Sequence, residues 1–374
     1  MTRAVRRALE QVSGPGLPDA HALELLLGCT AAGDVEEIFH AADHVRRKHL
    51  GDGVLLRGIV EFSSYCGNTC SYCGLHGGNA ELERYRMSGS EILDSVERMV
   101  AQGIRTVVLQ SGEDAQVDAA WLADLVSRIT RAHDMAVTLS VGERPRADYE
   151  LWRAAGADRY LLKIEASDPA LYASLHQGRT LDTRLRCVQD LFDLGYQVGS
   201  GVMVGLRGQT LGHLARDIRW FAERDFDMIG IGPFIPHPQT RLSAEPAGDV
   251  MLTLKAVALT RIVTRNAHLP ATTALGSMGR DYRPDGLKAG ANVLMPNFTP
   301  LRYKELYEIY PGKRCISEPA GACAFCMDGM AAGVGRFVDR SRGDSMKRLN
   351  ARSTAVSWVA ATSTAAAAPQ ETPA

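Results

Sequence analysis

Three cysteines crowd into eight positions of the stretch "VEFSSYCGNTCSYCGLHGGN" (60–79): Cys66, Cys70 and Cys73, spaced C-x3-C-x2-C directly after a short apolar run. Thiolates on so compact a loop converge on one side of a metal centre, and three of them leave one coordination position for another ligand. A structural zinc site would more naturally use paired C-x2-C units that supply four ligands and close the sphere. No second pair lies nearby in sequence, so an iron-sulfur centre with an exchangeable position is the leading reading and zinc the alternative. Cys315, Cys323 and Cys326 form a second trio near the C-terminus, while Cys29 and Cys187 lie in helix-like contexts that suit small buried hydrophobes. Six of eight cysteines in two tight groups argue for metal ligation in a reducing compartment rather than for a disulfide framework.

The chain that must position these thiols has 374 residues, 45% hydrophobic, enough for a large core. Lysine plus arginine number 42 against 43 for aspartate plus glutamate, which gives no electrostatic case for a nucleic-acid or acidic-membrane partner. The basic N-terminus has no uninterrupted apolar stretch, and no run of about eighteen apolar residues occurs, so neither secretion nor membrane spanning is expected and the address is cytoplasmic. Residues 1–50 read as a helical extension. Strand candidates then recur at 54–63, 105–112, 135–142, 158–165, 196–205, 227–234, 269–274 and 291–296, most of them separated by helical segments. Ser88 with Glu91 forms a capping-box signature ahead of one such helix, and Gly103 suits its C-terminal end. Eight strands alternating with helices match an α/β fold of the (β/α)8 TIM-barrel type, spanning 51–345. The tail, 346–374, rich in alanine, threonine and proline, reads as disordered.

With Tyr72 inside "CSYC", the cysteine loop resembles the cluster motif of radical S-adenosylmethionine (SAM) enzymes. The resemblance implies that Cys66, Cys70 and Cys73 hold a 4Fe-4S cluster, that SAM occupies its unique iron with Tyr72 near adenine, and that reductive cleavage yields a 5'-deoxyadenosyl radical. In a barrel, strand residues of one parity face helices and those of the other face the lumen. The fourth strand sets Tyr160, Leu162 and Ile164 against Arg159, Lys163 and Glu165. Charged lumen residues must bind one another or a charged ligand: Glu165 suits ribose hydroxyls or an ammonium, Arg159 or Lys163 a carboxylate, and a structural ion-pair cluster is the plainer alternative. The same parity turns Gln110, Gly112, Thr138 and Ser140 inward. Gly112 in "SGED" lets backbone carbonyls approach a bound ammonium, assisted by Glu113 or Asp114, unless the segment is an ordinary turn. Met228 and Met295 are soft lumen contacts or simple core filling.

From about residue 50 to 330 the runs "EFSSYCGNTCSYCGL", "ERYRM", "VVLQSGED", "VTLSVGE", "AGADRYLL", "FDMIGIGPFIPHP", "GANVLMPN" and "IYPGK" resemble the FeFe-hydrogenase maturase HydE family. That resemblance implies SAM ribose and carboxylate contacts at Glu165 and Arg184, and a substrate end at Gln110, Thr138, Arg159, Met228, Thr272, Thr273, Met295 and Tyr310. It implies radical attack on the sulfur of a cysteine-bound iron carrying carbon monoxide and cyanide, with companion maturases of the HydG and HydF type and an electron donor as partners. Lys163 and Ile164 stand where that family commonly has arginine and a large side chain, and Arg207 stands where proline is usual. Lys163 keeps the charge and loses the planar fork. The spacing of Cys315, Cys323 and Cys326 resembles an auxiliary site of some of these maturases, a 2Fe-2S or labile 4Fe-4S cluster, with zinc or a redox-labile thiol set as the alternative. Biotin synthase, another relative, needs cysteines on inner strand positions, and none stands there beyond the first motif. Two competing functions are a radical SAM amino-acid mutase similar to methylornithine synthase and a non-catalytic iron-sulfur or zinc carrier.

Overall fold

A computed structural model describes residues 1–318 and 323–347. All but the first two residues of the expected disordered tail lie outside the described residues. Six parallel strands stand side by side in chain order: β2 (Gly58–Ser63), β3 (Thr106–Ser111), β4 (Ala136–Ser140), β5 (Ala157–Leu161), β6 (Gln197–Val204) and β7 (Met228–Pro233). The sheet closes into a cylinder through single bridges, Met228 to His268, Pro270 to Val293 and Ile59 to Asn297. Short β8 (Val293–Leu294) pairs with β1 (Gly53–Leu56), and Arg57 N donates to Leu294 O at 3.0 Å.

The eight expected staves are therefore present as an eight-part wall, with three differences. The stretch 269–274 is not a regular strand, because Pro270 has no N–H to give to a ladder, and it joins its neighbours only by bridges. The first stave breaks at Arg57: β1 pairs with β8 before it, and β2 pairs with β3 after it. A ninth strand, β9 (Phe337–Asp339), covers the free edge of β1 and has no counterpart in the sequence reading.

Helices α1 (Arg3–Ser13), α2 (Ala20–Gly28) and α3 (Ala32–Leu50) form the N-terminal extension. Their Val5, Leu23, Leu26 and Ile38 belong to the same apolar core as the outward faces of the staves. Along the barrel follow α4 (Gly89–Ala101), α5 (Ala119–Ala132), α6 (Arg146–Ala154), α7 (Pro169–Leu175), α8 (Leu181–Asp193), α9 (Leu211–Arg224) and α10 (Val250–Thr264). The Ser88–Glu91 capping box opens α4, and Gly103, at φ +71°, follows its end. Helix α10 is buried on nearly all sides because it lies between the barrel and α3. Its Lys255 emerges at one end, where Nζ donates to Leu27 O and, at 2.8 Å, to Cys29 O.

Parity decides what the cylinder contains. Val60, Phe62, Val107, Leu109, Val137, Leu139, Tyr160, Leu162 and Ile164 pack outward into the core. Inward go Glu61, Gln110, Ser140, Lys163 and Met228, together with Gly230 and Gly232, which bring no side chain. The segment 341–345 crosses the floor, where Arg342 O accepts from Thr106 Oγ1 at 2.8 Å and from Arg159 Nη2 at 2.7 Å.

Candidate active site

Cys66, Cys70 and Cys73 all line one lumen cavity of about 360 Å3 at the C-terminal end of the staves. Arg84 pins their loop from behind, donating to Ser64 O at 2.5 Å, Leu75 O at 2.8 Å and His76 O at 2.8 Å. Further bonds tie it to the loop after β3, to the end of α7 and to the loop at 309: Gly67 N to Glu113 O at 2.9 Å, Ser71 N to Leu175 O at 2.9 Å and Gly74 N to Ile309 O at 3.1 Å. Burial and the neighbouring Cys66 sulfur push the Cys70 thiol up to about 12, and burial pushes Cys73 higher still. Such thiols ionise only against a metal centre. Among the described residues no three Cys, His, Asp or Glu side chains gather at the spacing of a single metal ion. Three sulfurs around one cavity leave a coordination position for another ligand, which suits an iron-sulfur cluster better than a closed four-ligand zinc site.

Tyr72, the aromatic of the loop, sets its hydroxyl 3.1 Å from His176 Nε2. The other ring nitrogen, Nδ1, lies 3.1 Å from Tyr172 O, an obligatory acceptor, so Nδ1 carries the proton and Nε2 accepts from Tyr72. Burial and then Arg184 lower the imidazole pKa to about 4, which keeps it neutral. The Tyr72 ring is thereby fixed beside the cysteines.

On the next wall, Gly112 packs directly under the loop: a Cβ there would meet Tyr65 O at 2.3 Å and the Cys66 Cβ at 2.7 Å. Glu113 Oε1 receives Arg184 Nη2 at 3.1 Å, Glu143 Oε1 receives Arg184 Nε at 2.6 Å, and Lys163 O receives Arg184 Nη1 at 3.0 Å. Glu165 takes the left-handed backbone conformation, φ 61°, which turns it into the cavity as the stave ends. Lys163 Nζ lies 3.0 Å from Glu165 Oε2 but off the hydrogen-bonding direction, and that buried oxygen has no donor. Glu143 Oε2 is likewise without a hydrogen bond among the described residues and lies 3.6 Å from Arg179 Nη1. A carboxylate oxygen that is ion-paired but accepts no hydrogen bond among the described residues, a side-chain-free floor under the loop and a fixed guanidinium fit a polar adenosyl cofactor that carries both hydroxyls and a charged head. Asp114 is turned elsewhere, to Arg86 Nε at 2.6 Å and Ser63 Oγ at 2.7 Å.

Of the eight residues expected at the substrate end, Gln110, Met228, Thr272, Thr273, Met295 and Tyr310 line the same cavity. Thr138 and Arg159 do not. They lie one layer lower, in a space of about 10 Å3 shared with Arg57 and Gln197. There Arg159 Nη2 is 2.8 Å from Asp344 Oδ1, its Nη1 donates to Thr106 Oγ1 at 3.1 Å and its Nε to Gln197 Oε1 at 3.2 Å. The Thr138 hydroxyl has no hydrogen-bond partner among the described residues. Sequence reasoning passed over Glu61 and Lys313, which line the cavity as an ion pair, and Glu143, which holds Arg184. Parity alone marks Glu61, the carboxylate of "GIVEFS" between outward Val60 and Phe62. In the second trio, Cys315 is half-buried and Cys326 exposed, while the side chain of Cys323 lies outside the described residues.

The Radical SAM superfamily profile matches residues 60–221. The chain is 48% identical over 308 residues to the FeFe hydrogenase maturase subunit HydE of Thermotoga maritima, covering 82% of this chain and 88% of that protein. Among solved structures, methylornithine synthase (PylB) superposes with TM-score 0.77 at 24% identity, over 89% of this chain and 97% of that one. The maturase HydG from Carboxydothermus hydrogenoformans superposes with TM-score 0.74 at 18% identity, over 91% and 81%. These two likenesses speak for the barrel alone, and the HydE relative carries the family. A cysteine-loaded barrel mouth, a fixed aromatic beside it and near-full-length kinship together make this chain a radical SAM enzyme, and it belongs to the HydE family of hydrogenase maturases.

Proposed function

We propose that this enzyme acts in building the FeFe-hydrogenase active site, taking as substrate a cysteine-bound iron that carries carbon monoxide and cyanide. The observation that supports this best is one continuous cavity with three thiols, Glu165 and Arg184 at one end and Gln110, Thr272, Thr273 and Tyr310 at the other. Membership of the superfamily brings a 4Fe-4S cluster and SAM, which when bound supply the 5'-deoxyadenosyl radical. The chain's own part is positional. Cys66, Cys70 and Cys73 ligate the cluster; Tyr72, locked by His176, walls the adenine side; Glu165 accepts from the ribose; Arg184, braced by Glu113 and Glu143, takes the carboxylate of SAM; and Gly112 leaves carbonyls open to its ammonium.

At the far end, the Thr272 and Thr273 hydroxyls and the Gln110 amide give hydrogen bonds to a polar diatomic ligand or carboxylate, and Met228 and Met295 give polarisable contacts to iron and sulfur. Stave ends and loops keep water from the carbon radical. The residues 51–345 act as one catalytic unit, with 1–50 as outer support, and Cys315, Cys323 and Cys326 hold an auxiliary cluster outside the lumen. Partners on this reading are HydG- and HydF-like maturases and an electron donor, in the cytoplasm; no helix among the described residues is long and apolar enough to cross a membrane.

Anaerobically reconstituted protein, reduced with dithionite and given SAM, is expected to release 5'-deoxyadenosine and, with the companion maturases, to activate apo-hydrogenase. Cys70→Ala should abolish both, while Cys323→Ala should spare nucleoside release. The reverse pattern refutes the assignment of the two trios, and nucleoside release with no hydrogenase activation refutes the maturase reading.

A further inference from the structure

Three cations line the lumen cavity: Lys163, Arg184 and Lys313. The first two stand among the groups assigned to SAM. Arg159, the cation expected from sequence at the substrate end, lies below the cavity with its guanidinium taken by Asp344, Arg342 O, Thr106 and Gln197. That leaves Lys313 as the cation of the described residues that faces the substrate half. It is 7% exposed and paired with Glu61, which is 2% exposed.

Glu61 is held on every side. Asn297 Nδ2 donates to its Oε2 at 2.8 Å, its backbone N donates to Thr299 Oγ1 at 2.8 Å, and its backbone O accepts from Tyr85 Oη at 2.6 Å. Lys313 is not. An ammonium has three donors, and among the described residues Lys313 uses one, on Glu61, with its charge 5.1 Å over the Tyr307 ring. Gln110 Nε2 donates to the Tyr307 hydroxyl at 3.2 Å, which joins this corner to the residues already placed at the substrate end. A buried ammonium with unfilled donors on a cavity wall is a ready receptor for an anionic oxygen pair.

We propose that Lys313, held by Glu61, is the binding site for the carboxylate of a small amino-acid-derived substrate, in the role that sequence gave to Arg159. The inference rests on the function proposed above. Glu61 fixes the ammonium and keeps the empty cavity near neutral, so a carboxylate enters against one neighbouring negative charge and gains two charge-assisted hydrogen bonds. The plainer role, a tie between β2 and the loop ahead of Cys315, predicts no preference for a carboxylate.

The test uses reconstituted, SAM-loaded enzyme and two probes followed by ligand-observed NMR: S-methyl-L-cysteine and its decarboxylated amine. The wild type should prefer the carboxylate-bearing probe by roughly tenfold to a hundredfold. The neutral double variant E61Q/K313M, which leaves no uncompensated buried charge, should hold the preference to within about threefold. Arg159→Met should keep it. An absent preference in the wild type, a full preference in E61Q/K313M, or its loss in Arg159→Met alone each overturns the assignment. Nucleoside release measured on the same wild-type sample separates the two readings: if it is absent, the proposed function fails, and if it is present without the Lys313 effect, this inference fails alone.

Discussion

Replacing Gly112 by alanine tests how tightly the cluster loop is set by the wall beneath it. The added Cβ would stand 2.3 Å from Tyr65 O and 2.7 Å from the Cys66 Cβ. Side-chain carbons essentially never approach closer than 3.0 Å, so backbone at Tyr65 must retreat by at least 0.7 Å, the difference between 3.0 and 2.3 Å. It cannot do so freely, because Gly67 N is bonded to Glu113 O at 2.9 Å and Gly112 N to Ser63 O at 3.1 Å. Overpacking of this kind costs about 1 to 3 kcal/mol. A displacement near 1 Å at a reacting centre lowers rates by up to about a hundredfold. Gly112→Ala is therefore expected to fold, to melt a few degrees lower and to release 5'-deoxyadenosine roughly tenfold to a hundredfold more slowly. The control is Gly33→Ala, whose Cβ meets nothing within 4 Å and which should match the wild type. Thermal melting, iron content and initial rates of nucleoside formation, taken together, read the result. Wild-type rates in a fully loaded Gly112→Ala protein would refute the claim that this glycine sets the position of Cys66.

Arg84→Met removes the donors that hold Ser64 O, Leu75 O and His76 O, and should cost about 2 to 5 kcal/mol of loop order, read as lower iron content at equal reconstitution and faster loss of cluster to a chelator; unchanged chelation kinetics would count against the pin. Burial, opposed by hydrogen bonds from Ser167, raises Asp217 from 3.8 to about 7. Because the folded state holds this proton more tightly than the unfolded one, stability should be greatest below pH 4 for this group and fall by up to ~4 kcal/mol as pH rises towards 7. Asp217→Asn should flatten that slope in urea titrations between pH 5 and 8, and an unchanged slope would assign it to another group.

The barrel was legible in the spacing of strand-like runs, and the lumen in their alternation: the fourth stave places Tyr160, Leu162 and Ile164 in the core as parity requires. Parity fixes the face of a strand and not the height of a residue along the axis. Arg159 shares its face with Lys163 and Glu165 yet lies a layer below the cavity, where a segment nearly two hundred positions later, at Asp344, meets it. That contact has no local signature. Nor does the capture of Arg184 by Glu143, since neither residue carries in its neighbourhood a sign of the other. The seventh stave failed as a strand for a reason visible in "LPATTA", where Pro270 interrupts the ladder.

On β7 the lumen is bounded at Gly230 and Gly232 by main chain alone. A residue without a side chain cannot be trimmed further, so at these two positions mutation works in one direction. Any replacement there makes the chamber smaller, and behind Gly230 the β6 residue Gly201, whose Cβ would stand 2.1 Å from Gly230 O, resists even a methyl group. Descendants of this sequence that accept bulkier molecules must therefore find room where side chains can be cut back, at Met203, Met228, Gln110 or Tyr310.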